Sequence, residues 1–143
     1  GEDDVGVQLE GYNLYKTYRG KTRNDGVLVF ASERVCVSVR EEELGDVYGL
    51  SLDFMYNNKQ CNVLALYRTH DSDLDIFTNA LNQYYSNTDK SKTYILIGDI
   101  NANLIKTDNK TERYLDVMYE TGFMCGITEP SRVVGDSKTC IDH

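Results

Sequence analysis

An α+β or layered α/β/β/α architecture is predicted from three observations. The first half is rich in alternating or fully apolar runs at strand spacing. The second half interleaves two amphipathic helical patterns with another strand. No repeat, low-complexity tract or linker divides the chain, and only one proline interrupts it. Strands followed by interleaved helices require sheets that are covered on both faces. A length of 143 residues suits one domain with one sizeable core.

The elements follow in chain order. Val27–Ala31 is a β-branched apolar run, and Val35–Val39 reads as a second strand. From Asp46 to Tyr56 the pattern alternates, placing Leu50, Leu52, Phe54 and Tyr56 on one face. The polar turn Asn57-Asn58-Lys59-Gln60 then leads into Cys61–Tyr67, and two alternating runs joined by an Asn-rich turn make a hairpin. Leu74, Phe77, Leu81 and Tyr84 or Tyr85 recur at helical spacing, with Asp71 or Ser72 as the expected opening residue. Tyr94–Ile97 is an apolar strand that stops at Gly98. A second helix is expected over about 110–121, with Asn109 and Glu112 at capping-box spacing. Its apolar face is Leu115, Met118 and Tyr119, and Gly122 is placed to end it. Phe123–Ile127 reads as one more short strand.

Composition excludes several classes of function. Hydrophobic content of 41% and charged content of 27% are ordinary for a globular protein. No apolar run approaches the roughly 18–20 residues that cross a bilayer, so no membrane partner is expected. The acidic start Gly1-Glu2-Asp3-Asp4 has neither the basic end nor the apolar segment of a signal peptide. A net charge of −8 argues against tight non-specific nucleic-acid binding, which needs Lys and Arg on phosphates. It leaves room for an acidic phosphodiesterase that relies on divalent cations. Cys36, Cys61, Cys125 and Cys140 form no Cys-x-x-Cys pair, so a zinc site is not expected. They read as reduced thiols of an intracellular protein, two of them (Cys36 and Cys61) inside strand patterns.

The segment Tyr94-Ile95-Leu96-Ile97-Gly98-Asp99-Ile100-Asn101-Ala102-Asn103 carries the chemistry. Asp99 and Asn101 lie two apart, so in extended chain they point the same way at a strand's end. A carboxylate and a carboxamide presented there can orient a water and hold an oxyanion or metal-bound phosphate. The plainer reading is a turn after a strand, since Gly, Asp and Asn all favour turns.

Further marks occur in order along nearly the whole chain. They are Gly11-Tyr12, Gly26-Val27, Leu66-Tyr67-Arg68, Gly98-Asp99-Ile100-Asn101 with Asn103, and Tyr114-Leu115-Asp116. Gly122-Phe123, Glu129-Pro130-Ser131-Arg132 and Ser137-x-x-Cys140-Ile141-Asp142-His143 complete the set. With these marks the sequence resembles the endonuclease/exonuclease/phosphatase superfamily, and within it the apurinic/apyrimidinic-like endonuclease domain of non-LTR retrotransposons. The resemblance implies a four-layered α/β/β/α sandwich and a metal-dependent DNA endonuclease. Such an enzyme uses Mg²⁺ or Mn²⁺ to nick target DNA in the nucleus, and a reverse transcriptase domain lies downstream in the parent polypeptide.

It also implies roles for individual residues. Asp99 would lie by the metal and orient or deprotonate the attacking water. Asn101 would hydrogen-bond the scissile phosphate, and Tyr67 would donate its phenol to a phosphate oxygen. Asp142 would fix the tautomer of a catalytic histidine. Arg68 and Asn103 would contact the nucleic-acid backbone from the rim. On the residues alone, Tyr67 is one of 11 tyrosines, Arg68 reads equally as a solvated charge, and Asp142 could cap a turn.

The main departures from the family pattern concern both ends. A strand bearing an Asn, a strand ending in a metal-binding Glu, and a closing strand with Ser-Asp-His find no counterpart in residues 1–143. Neither His70 nor His143 lies in a Ser-Asp-His motif, so His143 is not taken as the base. Residues 1–143 are therefore expected to form a partial, incomplete domain with little or no activity by itself. Ile100 stands where an aromatic or Leu is usual and should be buried, and Thr69 replaces a common proline. The rival expectations are another phosphoesterase of the same superfamily, and a catalytically dead remnant or binding module.

Overall fold

Residues 6–18, 25–105, 108–127, 129–134 and 137–139 are described by a computed structural model. Their order is β1 (Tyr12–Lys16), β2 (Leu28–Ser32), β3 (Val37–Leu44), β4 (Val47–Tyr56), β5 (Lys59–Tyr67), α1 (Leu74–Tyr85), β6 (Thr93–Asp99), α2 (Asn109–Glu120), β7 (Arg132–Val134) and β8 (Ser137–Thr139). A four-stranded sheet runs β3-β4-β5-β6, with β1-β2 and β7-β8 as separate antiparallel pairs. The architecture is α+β, as the sequence predicts.

The β4–β5 hairpin turns at Asn57 and Asn58, whose φ values of 48° and 61° give the left-handed pair a two-residue turn needs. The register follows, with Phe54 opposite Cys61 and Leu50 opposite Ala65. Strand β6 joins β5 in parallel, pairing Cys61 with Thr93 and Tyr67 with Asp99. A parallel connection needs a crossover, and α1 supplies it. Both strands therefore end at the same edge of the sheet.

Alternation divides the sheet's residues between two faces. Leu64, Leu66 and Leu96 meet Leu74, Phe77, Leu81 and Tyr85 of α1, with Tyr114 and Met118 of α2, in one buried cluster. The rings of Phe77 and Tyr114 stack across the two helices at 6.3 Å. On the opposite face Leu50 and Leu52 are buried. Residues 29–31 of β2 line a cavity of about 240 Å³ with Leu52, Phe54 and Val63, so the β1–β2 pair lies over this face. Three layers are thus seen among the described residues: helices, sheet and a hairpin of the second sheet. Along β6 the cover thins, and Ile95 and Ile97 are about half exposed.

Several boundaries differ from expectation. Helix α1 is capped by Asp73, whose side chain accepts from the backbone of Asp75 and Ile76, and not by Asp71 or Ser72. Helix α2 is capped by Asp108, which accepts from Thr111 N, so Asn109 is the first helical residue and no capping box forms with Glu112. On this helix Tyr114 is in the core and Tyr119 is 79% exposed, where the sequence suggested a buried Tyr119. Gly122 does end the helix: its φ is +92°, Phe123 N bonds Met118 O at 2.8 Å and Gly122 N bonds Tyr119 O at 3.0 Å. Residues 123–127 form no strand, while β1, β7 and β8 are strands that the sequence pattern did not single out. Cys61 is buried in β5; Cys36 is exposed just before β3, and both are free thiols, as is Cys125. Cys140 lies outside the described residues.

The facing of α2 has a direct consequence for stability. Tyr114→Ala, at a fully buried position of α2, is expected to cost about 3–5 kcal/mol, the range for truncating a buried aromatic, whereas Tyr119→Ala should stay within about 0.5 kcal/mol. Urea unfolding of the two variants checks the orientation, and a large loss at Tyr119 would reverse it.

Candidate active site

The candidate site is built where β5 and β6 end together. Tyr67 and Asp99 are register partners in adjacent parallel strands, so their side chains leave the sheet on one face, opposite the helices. Beyond them the strands stay joined: Arg68 N bonds Asp99 O at 2.9 Å. The glycine before Asp99 makes this close junction possible. Gly98 has φ +147°, and a Cβ at that position would stand 1.8 Å from Leu66 O. No L-residue fits there.

Asn101 does not continue the strand. Its φ is +49°, so the extended geometry expected from the sequence, with Asp99 and Asn101 pointing the same way, is replaced by a fold-back. Asn101 N donates to Asp99 Oδ1 at 2.8 Å, and Asn101 Nδ2 donates to Arg68 O at 2.6 Å. The first is an Asx-type turn, a local bond that asparagine and aspartate favour. The second orients the carboxamide, since only its nitrogen can donate to a carbonyl. The fold-back keeps Asn101 beside Asp99 by hydrogen bonding instead of by strand alternation. Ile100 between them is fully buried, as expected.

Arg68 departs furthest from expectation. It is not at a rim facing nucleic acid; it is only 4% exposed. Its Nε donates to Ile100 O at 2.6 Å, Nη2 to Asn101 O at 3.1 Å, and Nη1 to Ser72 O. Burial pulls the guanidinium's pKa below the ordinary arginine value, and the carboxylates of Asp46, Asp73 and Asp99 act in the opposite sense. A buried cation is tolerable only when its donors are satisfied. Ser72 is buried too, and its hydroxyl donates to Asp46 Oδ1 in the β3–β4 turn. Sequence pattern gave no sign of this tie between three loops.

The remaining groups are placed as follows. The phenol of Tyr67 is half-buried and makes no hydrogen bond among the described residues. Asp99 has one carboxylate oxygen engaged by Asn101 N and the other without a donor among them. Asn103 accepts from Ile105 N at 3.1 Å in a turn of its own. Asp142 and His143 lie outside the described residues. Asp99 and Asn101 carry the hard oxygen donors that suit Mg²⁺ or Mn²⁺. Among the described residues no three His, Cys, Asp or Glu side chains gather at one point. Mg²⁺ keeps several waters and takes one or two carboxylates together with substrate phosphate, so the Asp99 oxygen fits one corner of such a site.

No protein-family model matches the chain, and neither does any curated protein. Solved structures do. The endonuclease domain of TRAS1, a telomere-specific non-LTR retrotransposon, superposes with a TM-score of 0.68 at 12% identity, over 94% of this chain and 66% of that domain. An endonuclease/exonuclease/phosphatase family protein from Leptotrichia buccalis gives 0.62 at 15% identity, over 94% and 60%. Danio rerio TDP2, complexed with a single-stranded DNA product, gives 0.60 at 10% identity, over 92% and 60%. The chain has the endonuclease/exonuclease/phosphatase fold, and it spans about two thirds or less of the length of each of these neighbours.

The Gly98 approach is the structural key to the site. Gly98→Ala should destabilise by more than about 4 kcal/mol, the diagnostic range for a forced backbone clash. Gly126→Ala, where a Cβ meets nothing within 4 Å, should fold normally. Thermal melts followed by circular dichroism decide, and near-equal melting temperatures would show that the two strands do not approach in this way.

Proposed function

We propose that this chain belongs to a metal-dependent phosphodiester hydrolase that nicks DNA, of the kind associated with retrotransposons. The observation that carries the reading is the pairing of Tyr67 with Asp99 at the shared carboxyl edge of β5 and β6, with Asn101 folded back beside them. Open α/β sheets commonly bind ligands at the carboxyl ends of parallel strands. The fold shared with the TRAS1 endonuclease domain and the motif order over residues 11–143 support this substrate class.

The residues have complementary roles. Asp99, with one oxygen committed to Asn101 N, presents the other to an attacking water and accepts its proton. The phenol of Tyr67 donates to a non-bridging phosphate oxygen as charge develops there. Asn101 keeps one carboxamide N–H for the same phosphate, because its other N–H is held by Arg68 O. Mg²⁺ or Mn²⁺, when bound at Asp99, supplies neutralisation of the phosphate charge. Asp142 is proposed to orient a histidine, and Asn103 to lie against the DNA backbone. DNA is the proposed partner, with a reverse transcriptase domain in the parent polypeptide and the nucleus as the place of action.

Plasmid nicking in Mg²⁺ tests the reading. The chain is compared with a polypeptide extended through the flanking coding sequence on both sides. In the extended form Asp99→Ala should lower the rate about 10²–10⁴-fold, the usual weight of a general base. Tyr67→Phe should lower it about 10²–10³-fold, the weight of one oxyanion donor. Full activity of Asp99→Ala would exclude this site. DNA binding without nicking in either form would support a binding module instead, and hydrolysis of phosphomonoesters alone would support another phosphoesterase.

A further inference from the structure

We infer that Arg68 is a positioning residue that sets the geometry of Asp99 and Asn101 from inside the protein, and that it takes no part in holding nucleic acid. The inference rests on the hydrolase reading for its kinetic consequence and on geometry alone for its structural one. The guanidinium reaches the carbonyls on both sides of the turn, Ile100 O at 2.6 Å and Asn101 O at 3.1 Å. These are the two peptide units that fix ψ of Ile100 and ψ of Asn101. Residue 101 holds φ +49°, a conformation that asparagine adopts more readily than most residues and that persists where its surroundings hold it. The guanidinium holds it from one side and Asn101 Nδ2 on Arg68 O from the other. The third arm, on Ser72 O, carries the tie to Asp46 in the β3–β4 turn.

A phosphate-binding arginine has the opposite design. It leaves its planar fork in solvent, where two parallel N–H groups can meet an anion. Here Nε and both terminal nitrogens already donate to carbonyls, and the residue is 4% exposed. Lysine cannot substitute for it, because a single ammonium on a flexible stem does not span three acceptors in one plane. At a phosphate contact, by contrast, lysine would keep the charge that attracts the anion and lose only the forked geometry.

The test compares Arg68, Arg68→Lys and Arg68→Met in the extended polypeptide, with duplex DNA at several salt concentrations. Both variants should lower kcat about 10²-fold, the effect of a misplacement near 1 Å. KM and the slope of log affinity against log salt should not change. Near-wild-type nicking by Arg68→Lys, with a slope shallower by about 1 in Arg68→Met, would make Arg68 a phosphate contact and overturn the inference. A second measurement needs neither a variant nor activity. In the 143-residue chain, the Arg68 Nε–H should exchange with solvent far more slowly than that of free arginine. Exchange at the free rate would overturn the inference even if the kinetics agreed. If the unsubstituted extended polypeptide does not nick DNA, the hydrolase reading fails, and proton exchange still decides the placement of Arg68.

Discussion

The site depends on a close approach of two backbones. At Gly98 the chain of β6 comes so near to Leu66 O that any side chain would overlap it. Parallel pairing continues through this glycine to the last residues of both strands, so that Tyr67 and Asp99 emerge side by side. A wider separation would part the phenol from the carboxylate and leave Arg68 N without Asp99 O. Glycine is weak in strand interiors on entropic grounds, and here that weakness is offset by what the junction positions.

Beyond the junction, control passes from the sheet to buried polar groups. The described residues of the loops after β5 and β6 form no helix or strand, yet they carry the groups with chemical potential. Arg68 replaces the missing ladder by gathering the carbonyls of Ile100, Asn101 and Ser72. A charged group does this better than a neutral one, because bonds from an ionised donor are stronger. The cost is desolvation, which lowers the guanidinium's pKa against the opposing pull of Asp46, Asp73 and Asp99. An acidic chain with a net charge of −8 can carry such a buried cation, since carboxylates stand around it.

Much of the frame was legible in the sequence because periodicity reports burial. Leu50, Leu52 and Phe54 alternate, and Leu74, Phe77 and Leu81 repeat at helical spacing; each set is found on one face. Helix α2 was read less well, because Asp108 and Asn109 are both good caps. Its buried stripe is Thr111, Tyr114 and Met118, at three- and four-residue steps, and Tyr119 beside Met118 falls outside it. The motif Gly98-Asp99-Ile100-Asn101 points to a site, but alternation mispredicts its shape: Asn101 takes a left-handed turn, and its carbonyl accepts from Arg68, 33 residues earlier. Arg68 itself was unreadable locally, since an arginine after a strand is usually solvated. The short strands β1, β7 and β8 offer too few residues for a period to stand out.

The most direct measurement is chemical-shift mapping of the 143-residue chain with a short DNA duplex, with Ca²⁺ in place of Mg²⁺. Perturbations centred on Tyr67, Asp99 and Asn101 are the expected result, with the exposed face of α2 around Tyr119 unaffected. Perturbations confined to the helical layer, with Tyr67 and Asp99 unmoved, would contradict a DNA-processing site at the carboxyl edge of β5 and β6.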